Sequence, residues 1–331
     1  MFPKYTIVKR ATGIALLVLA GAGGMLWLHA GAYGFNVIAR HGGTYWITIG
    51  PDDARLPPAM RLALRQPAPV ATPGRLVWRP IETGFDVADL PVIAAGRQVD
   101  MILLARIDPA RYRFVARAAP QGDKGLDEWE RDFPAALLIV NGSYYGPKGA
   151  PDTPFLSEGV AMGPATYEAT GGAFVAGERS ATVEDLSHRK WRPLFARARN
   201  AMVSYPLLLG DDGQSHVATR SRWLANRTFV GHDGSGRIVI GTTREAFFSL
   251  DRFAAFLKSA PLDLKVALNL DGGPLACQSV RLPHFRRKFY ARWEAQVSGD
   301  QVKLLRWPIA EATSAMPVVL TVERRRARPA A

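Results

Sequence analysis

The stretch from Leu264 to Gly273, LKVALNLDGG, constrains the fold more than any other part of the chain. Leu264, Val266, Leu268 and Leu270 alternate with Lys265, Ala267 and Asn269, and Asp271 follows in the phase of the second set. A period of two describes a strand, because successive side chains of extended backbone leave on opposite faces. The four apolar residues make one face. Asn269 and Asp271 point together from the other, one pleat apart. Gly272 and Gly273 then end the strand and let backbone approach a ligand beside the carboxylate. A strand that ends this way is expected to meet other polar strand ends.

The rest of the chain reads as strand-rich. Its 331 residues are enough for a large core, and 24 prolines and 31 glycines divide the apolar residues into short runs. Leu76–Ile81 is one expected strand. Val99–Ile107 is apolar on both faces in its MILLA run, as suits a buried central strand. Tyr112–Ala118 follows the turn Asp108-Pro109, so the two are expected to form a hairpin. Leu126–Phe133 reads as a short helix with acidic residues early. Ala135–Val140 is a fully apolar strand, Thr182–Leu186 a weak one, and Ala201–Leu209 an edge strand or a segment bent at Pro206. Thr228–Gly231 and Arg237–Gly241 flank Asp233-Gly234-Ser235-Gly236, a hairpin turn. Ser249–Lys258 carries apolar residues at helical spacing behind Ser249 as N-cap. The fold class expected is α+β: mixed, largely antiparallel sheets with a few packed helices.

Lys4, Lys9 and Arg10 precede Ala11–Leu28, an uncharged apolar stretch. Positive charge before it and none directly after predicts a cytoplasmic N-terminus and an exported body. The expectation is a transmembrane signal anchor in residues 1–39. A signal peptide cleaved after Ala30-Gly31-Ala32 is the alternative. Residues 40–74 read as connecting chain and linker, residues 75–322 as the main domain, and residues 323–331 as a basic tail. The formal net charge of +13 favours anionic partners. No nucleic-acid module accompanies it, so nucleic acid is not expected as a partner. Cys277 is the single cysteine; no intramolecular disulfide forms, and a small buried residue is the expected role.

Two further polar stretches stand out. Ala135–Val140 runs into Asn141-Gly142-Ser143-Tyr144-Tyr145, an amide, a turn and two aromatic rings of the kind that stack on a sugar face. Asn226-Arg227-Thr228 opens the hairpin, where a guanidinium can hold phosphate. Both tripeptides also fit the N-glycosylation pattern.

In this order, the Asn141–Tyr145 segment, the Asn226–Gly231 segment, the Asp-Gly hairpin, the amphipathic helix and Asn269–Gly273 resemble the phosphodiester glycosidase family over roughly Val99–Val280. The resemblance implies an exported hydrolase that cleaves a sugar-1-phosphodiester in an envelope glycan. It implies Asp271, Asn141 and Arg227 as catalytic residues: Arg227 at phosphate, Asp271 for acid/base work or a sugar hydroxyl, Asn141 orienting substrate. Asn269, Gly272, Gly273, Gly142 and Tyr145 are implied around the substrate. The partners expected are a phosphorylated or anionic glycan and, through the N-terminal helix, a membrane. No metal set is expected, and the sequence assigns no cofactor. The partner carboxylate has only Glu158 and Asp233 as candidates. Two departures from the family pattern are Pro274-Leu275-Ala276-Cys277 after Gly273, where glycine and serines are usual, and Ser143 where a second glycine is commoner. A non-catalytic binder of anionic glycans on the same fold is the second expectation.

Overall fold

The computed structural model describes residues 13–25, 45–119, 122, 124–146, 149–217, 222–306 and 315–325. Four antiparallel sheets and a few short helices make up the body. The largest sheet runs in the order Leu207–Leu209, Leu264–Asn269, Thr228–Asp233, Ile238–Thr243, Arg97–Ile107, Phe85–Ala94, Thr72–Pro73. Arg79–Glu82 also pairs with Phe85–Ala94. A five-stranded sheet runs Phe285–Phe289, Gln278–Leu282, Ala136–Asn141, Val318–Arg324, Tyr112–Ala118. A second joins Ala181–Asp185, Gly172–Ala176, Asn200–Ser204, Phe155–Ser157 and Val160–Met162. The fourth sheet holds Tyr45–Ile49, Gln301–Arg306, Glu294–Ser298 and Trp223–Ala225.

The large sheet is buried on both faces, which accounts for its near-continuous apolar strands. Leu103, Ala105, Val230, Val266 and Leu268 pack with Phe114, Leu138 and Val140 of the first five-stranded sheet and Phe174 and Met202 of the second. On the other face Ile102, Leu104, Phe229 and Ala267 meet Phe253, Phe256 and Leu257 of the helix Leu250–Ser259. Ser249 stands at the N-cap position of that helix, but its hydroxyl donates to Asp251 Oδ1 rather than to the helix backbone.

Several expectations change. Arg97–Ile107 and Tyr112–Ala118 are consecutive but do not form a hairpin. The first pairs with Phe85–Ala94 and Ile238–Thr243, and the second with Val318–Arg324 from the far end of the chain. The residues read as connecting chain are packed into the body. Tyr45–Ile49 pairs with Gln301–Arg306, and Met60 and Leu62 of the helix Pro58–Ala63 are buried in the core with Phe247 and Phe253. The apolar run broken at Pro206 is split between two sheets, Asn200–Ser204 in one and Leu207–Leu209 in another. At the start of the basic tail Arg324 still belongs to a strand, and Arg325 donates to the carbonyls of Pro109 and Ala110. Both asparagines of the glycosylation pattern, Asn141 and Asn226, are buried, so neither offers an accessible amide.

Residues 13–25 form a helix with Leu17, Leu19 and Met25 exposed. No described helix is long and apolar enough to cross a membrane. The expected anchor extends beyond the described residues at both ends.

Candidate active site

Antiparallel pairing puts the end of one strand beside the start of the next. Phe229 faces Asn269 and Thr228 faces Thr242, so the end of Leu264–Asn269 and the start of Thr228–Asp233 share one rim of the large sheet. The first five-stranded sheet meets that rim at Asn141. The Asp271 N–H donates to the Gly142 carbonyl at 3.0 Å, and the Gly142 N–H to Val318 at 2.8 Å. A side chain on Gly142 would collide with Val318, its Cβ falling 2.6 Å from Cγ1. Glycine there is what allows the two sheets to close on each other.

The three stretches therefore converge, although their side chains divide the work differently from the sequence expectation. Asn141 donates through Nδ2 to the Asp271 carbonyl at 2.7 Å and accepts from Thr228 Oγ1 at 2.8 Å. It fastens the site together, and its polar atoms are used by the protein rather than left for substrate. Asn226 does the same on the other side. Its Nδ2 donates to the Thr243 carbonyl, and its Oδ1 accepts the N–H groups of Arg292 and Trp293 at 3.2 and 3.1 Å.

Arg227 is buried, with Nε on the Phe248 carbonyl at 3.3 Å and Nη2 on the Trp223 carbonyl at 2.7 Å. Among the described residues it forms no ion pair; Glu294, Asp251 and Asp271 act on it only at longer range. Burial lowers its pKa to about 10, which still leaves it charged at neutral pH. A Cβ built on Gly272 would lie 3.4 Å from Nη1, so the guanidinium borders the glycine turn. On that same turn stands Asp271. Its Oδ1 accepts the Gly272 N–H at 2.8 Å, yet burial, helped by the Glu294 charge, raises its pKa to about 7. Gly272 and Arg227 oppose that rise without cancelling it. Desolvation thus keeps a proton on this carboxyl far above the ordinary range.

Residues 135–282 match the phosphodiester glycosidase family. The match contains Asn141, Arg227 and Asp271. The structure is similar to the zebrafish N-acetylglucosamine-1-phosphodiester alpha-N-acetylglucosaminidase catalytic domain, auto-inhibited by its pro-peptide. The two align at 14% identity over 86% of this chain and 89% of that one, with a TM-score of 0.51, a likeness of fold. A hypothetical protein from Synechocystis aligns at 13% identity over 76% of this chain and 64% of that one, with a TM-score of 0.44. No curated protein matches the chain.

A second carboxylate comes from outside the matched residues. Glu158 is bound to Arg113 and Asn200, and Asp233 accepts from Ser235 and Arg237 within its own hairpin turn. Glu294 instead reaches the glycine turn. A Cβ on Gly273 would fall 2.5 Å from Glu294 Oε2. Burial raises the Glu294 pKa and Arg227 opposes the rise. The strand Glu294–Ser298 carries no motif, so nothing local marks this residue. The signal lies in Asn226, whose side chain holds the two residues before it. Pro274–Cys277 serve the same end. They leave Gly273 through a 3₁₀ turn, and Cys277 Sγ accepts the Ala291 N–H at 3.4 Å. Burial pushes the Cys277 thiol up to about 11, so it is a packing residue, not a nucleophile.

Gly273 has φ +63, a conformation that side chains resist, as well as Glu294 overhead. Gly273→Ala is expected to cost about 1–3 kcal/mol in urea unfolding and to displace Glu294, lowering any hydrolytic activity at least ~10-fold. An unchanged urea midpoint would show that neither constraint operates.

Aromatic residues finish the site. Tyr145 is 36% exposed and close enough to Asp271 and Glu294 for both charges, behind burial, to raise its pKa. Tyr144 and Tyr205 stack with centroids 4.4 Å apart. They form one wall of a cleft of about 840 Å³, which Trp223, Leu250, Gln296 and Ser298 also line. Among the described residues no three His, Cys, Asp or Glu side chains group as metal ligands.

Proposed function

We propose that the chain is an exported glycosidase that cleaves a sugar-1-phosphodiester, breaking the bond between C1 of the sugar and the phosphate oxygen. The observation that carries this reading is Arg227. A buried guanidinium without an ion pair needs a negative charge, and it borders the turn that presents Asp271. Arg227 holds the phosphate and offsets the charge that grows on it as the C1–O bond breaks. Asp271, protonated near neutral pH, gives its proton to the departing oxygen. Glu294 takes a proton from the water that adds to C1. The products are a free sugar and a phosphomonoester. Asn141 and Asn226 keep these groups in register, and Tyr145 supplies a face for the sugar ring. A glycan substrate accords with the family that residues 135–282 match.

Membrane tethering belongs to the same proposal. Its support is the exposed apolar helix of residues 13–25 and the lysines and arginine before it. Fractionation with and without residues 1–39 tests it; recovery of the full chain in the soluble fraction would count against it.

The activity is tested with a chromogenic sugar-1-phosphodiester and sugar release as the readout. Arg227→Ala is expected to lower kcat/KM by about 10²–10³-fold. Arg131→Ala, on an exposed helix, is expected to leave it unchanged. Tight glycan binding with no turnover across a broad panel would instead favour a binding protein built on this fold.

A further inference from the structure

Tyr144 and Asn269 have no part in the scheme above, yet they are among the most constrained side chains of the site. Asn269 is fully buried. Its Nδ2 donates to the Tyr144 hydroxyl at 2.8 Å and to the Tyr205 carbonyl at 3.2 Å. An amide nitrogen carries two hydrogens, and both are spent here. The Tyr205 carbonyl only accepts, which fixes which end of the amide is nitrogen. The Tyr144 hydroxyl therefore accepts from Asn269 and keeps its own hydrogen to donate.

The direction of that hydrogen is equally constrained. The ring is stacked on Tyr205 at an interplanar angle of 23°, and the Tyr144 carbonyl accepts the Asp152 N–H at 3.0 Å. The hydroxyl lies in the field of both the Asp271 carboxylate and the Arg227 guanidinium. Tyr144 also lines the cleft of about 840 Å³. Burial raises its pKa well above the ordinary phenol range, so it stays a neutral donor at physiological pH.

The geometry points to Tyr144 as a second phosphate ligand: its hydroxyl donates to a non-bridging oxygen of the diester held by Arg227, and the diester's second substituent runs along the cleft towards Gln296. This rests on the reading of Arg227 as the phosphate-holding residue. A phosphate group fills only a small part of the cleft, and the remaining volume takes the second substituent. Two donors from separate segments of the chain fix the phosphate in orientation as well as in place, and orientation decides which of its two ester bonds faces Asp271.

Titration calorimetry on the full chain with inorganic phosphate as the probe tests this. Tyr144→Phe keeps the ring and the stack and removes only the donor. It is expected to weaken phosphate binding by about 10- to 100-fold, while Arg131→Ala, on an exposed helix away from the cleft, binds as the wild type does. In the wild type, phosphate is also expected to shift the tyrosine ultraviolet band. That readout stands even if the variant does not fold. Equal affinity in a folded Tyr144→Phe, or bound phosphate with no band shift, overturns the inference. If the hydroxyl serves Asp271 instead, Tyr144→Phe moves the pH profile and leaves phosphate affinity intact, which also overturns it. Failure of the wild type to bind phosphate at all removes the Arg227 reading beneath it, an outcome distinct from the others.

Discussion

Asp271→Asn is expected to lower kcat for a sugar-1-phosphodiester by about 10²–10⁴-fold, the range for losing a positioned proton donor. The wild-type rate should fall as pH rises through about 7, where Asp271 loses its proton. The same carboxyl gives a second, independent readout in stability. Below about pH 4 it is protonated in both the folded and the unfolded chain. Between there and about 7 the folded state alone keeps the proton, so the folded state binds more protons and stability falls as pH rises. Above 7 both states are ionised and the effect is complete. The displacement from 3.8 to about 7 corresponds to about 4 kcal/mol. Asn lacks this proton. The variant should therefore match the wild type near pH 4 and exceed its stability at pH 8. Urea midpoints at pH 4, 6 and 8 read the difference; parallel curves for the two proteins would mean that Asp271 is not desolvated as described.

Glu294→Gln is expected to lower kcat by a similar factor, about 10²–10⁴-fold, through loss of the base. It should also act on Asp271. The Glu294 charge raises the Asp271 pKa, so its removal lets that pKa fall. The descending limb of the pH–rate profile is expected at lower pH in the variant than in the wild type. Glu158→Gln and Asp233→Asn, whose carboxylates are bound elsewhere, should leave the limb in place. A full rate in Glu294→Gln would restore the question of the second carboxylate.

The contrast between Asp271 and Glu294 shows what a sequence of this kind makes legible. Asp271 follows a strand with a clean period of two, on the glycine turn that ends it, and its neighbours Asn141 and Arg227 close one strand and precede another of equal clarity. Local patterning marks each of the three, and the resemblance to the phosphodiester glycosidase family implies that they meet. Glu294 begins the strand EAQVS, which is short, half-buried and has no apolar run or glycine turn beside it, and reaches the site because Asn226 binds the backbone two residues before it. That is a contact across 66 residues, with no periodic trace. Arg97–Ile107 and Tyr112–Ala118 failed as a hairpin for a related reason. Asp108-Pro109 is a sound turn between them, but pairing is decided by the best partner in the whole chain, and for the second strand that partner is Val318–Arg324. Phe85–Ala94 lacks a clear strand signal because Pro91 interrupts it; there the Pro91 carbonyl still accepts the Gly74 N–H. The sequence does not distinguish the structural role of Asn141, because an amide at a strand end looks the same whether it faces substrate or a neighbouring carbonyl.

The strand that supplies Glu294 has Gln301–Arg306 beside it, and that strand in turn has Tyr45–Ile49 along its outer edge. The segment nearest the proposed membrane anchor is thus the outermost stave of the sheet on which the second carboxylate hangs. A shortened protein that starts at residue 75, or one cut back to residues 135–282, would contain Asp271 and Arg227 but leave Glu294 unsupported or absent. Inactivity of such a fragment would describe the missing stave and not the chemistry. Proteolytic cleavage within residues 66–74 is a different event: the N-terminal piece would carry both the proposed anchor and the stave, so the two-chain assembly, held by the stave's hydrogen bonds, would stay complete at the site and keep its link to the anchor.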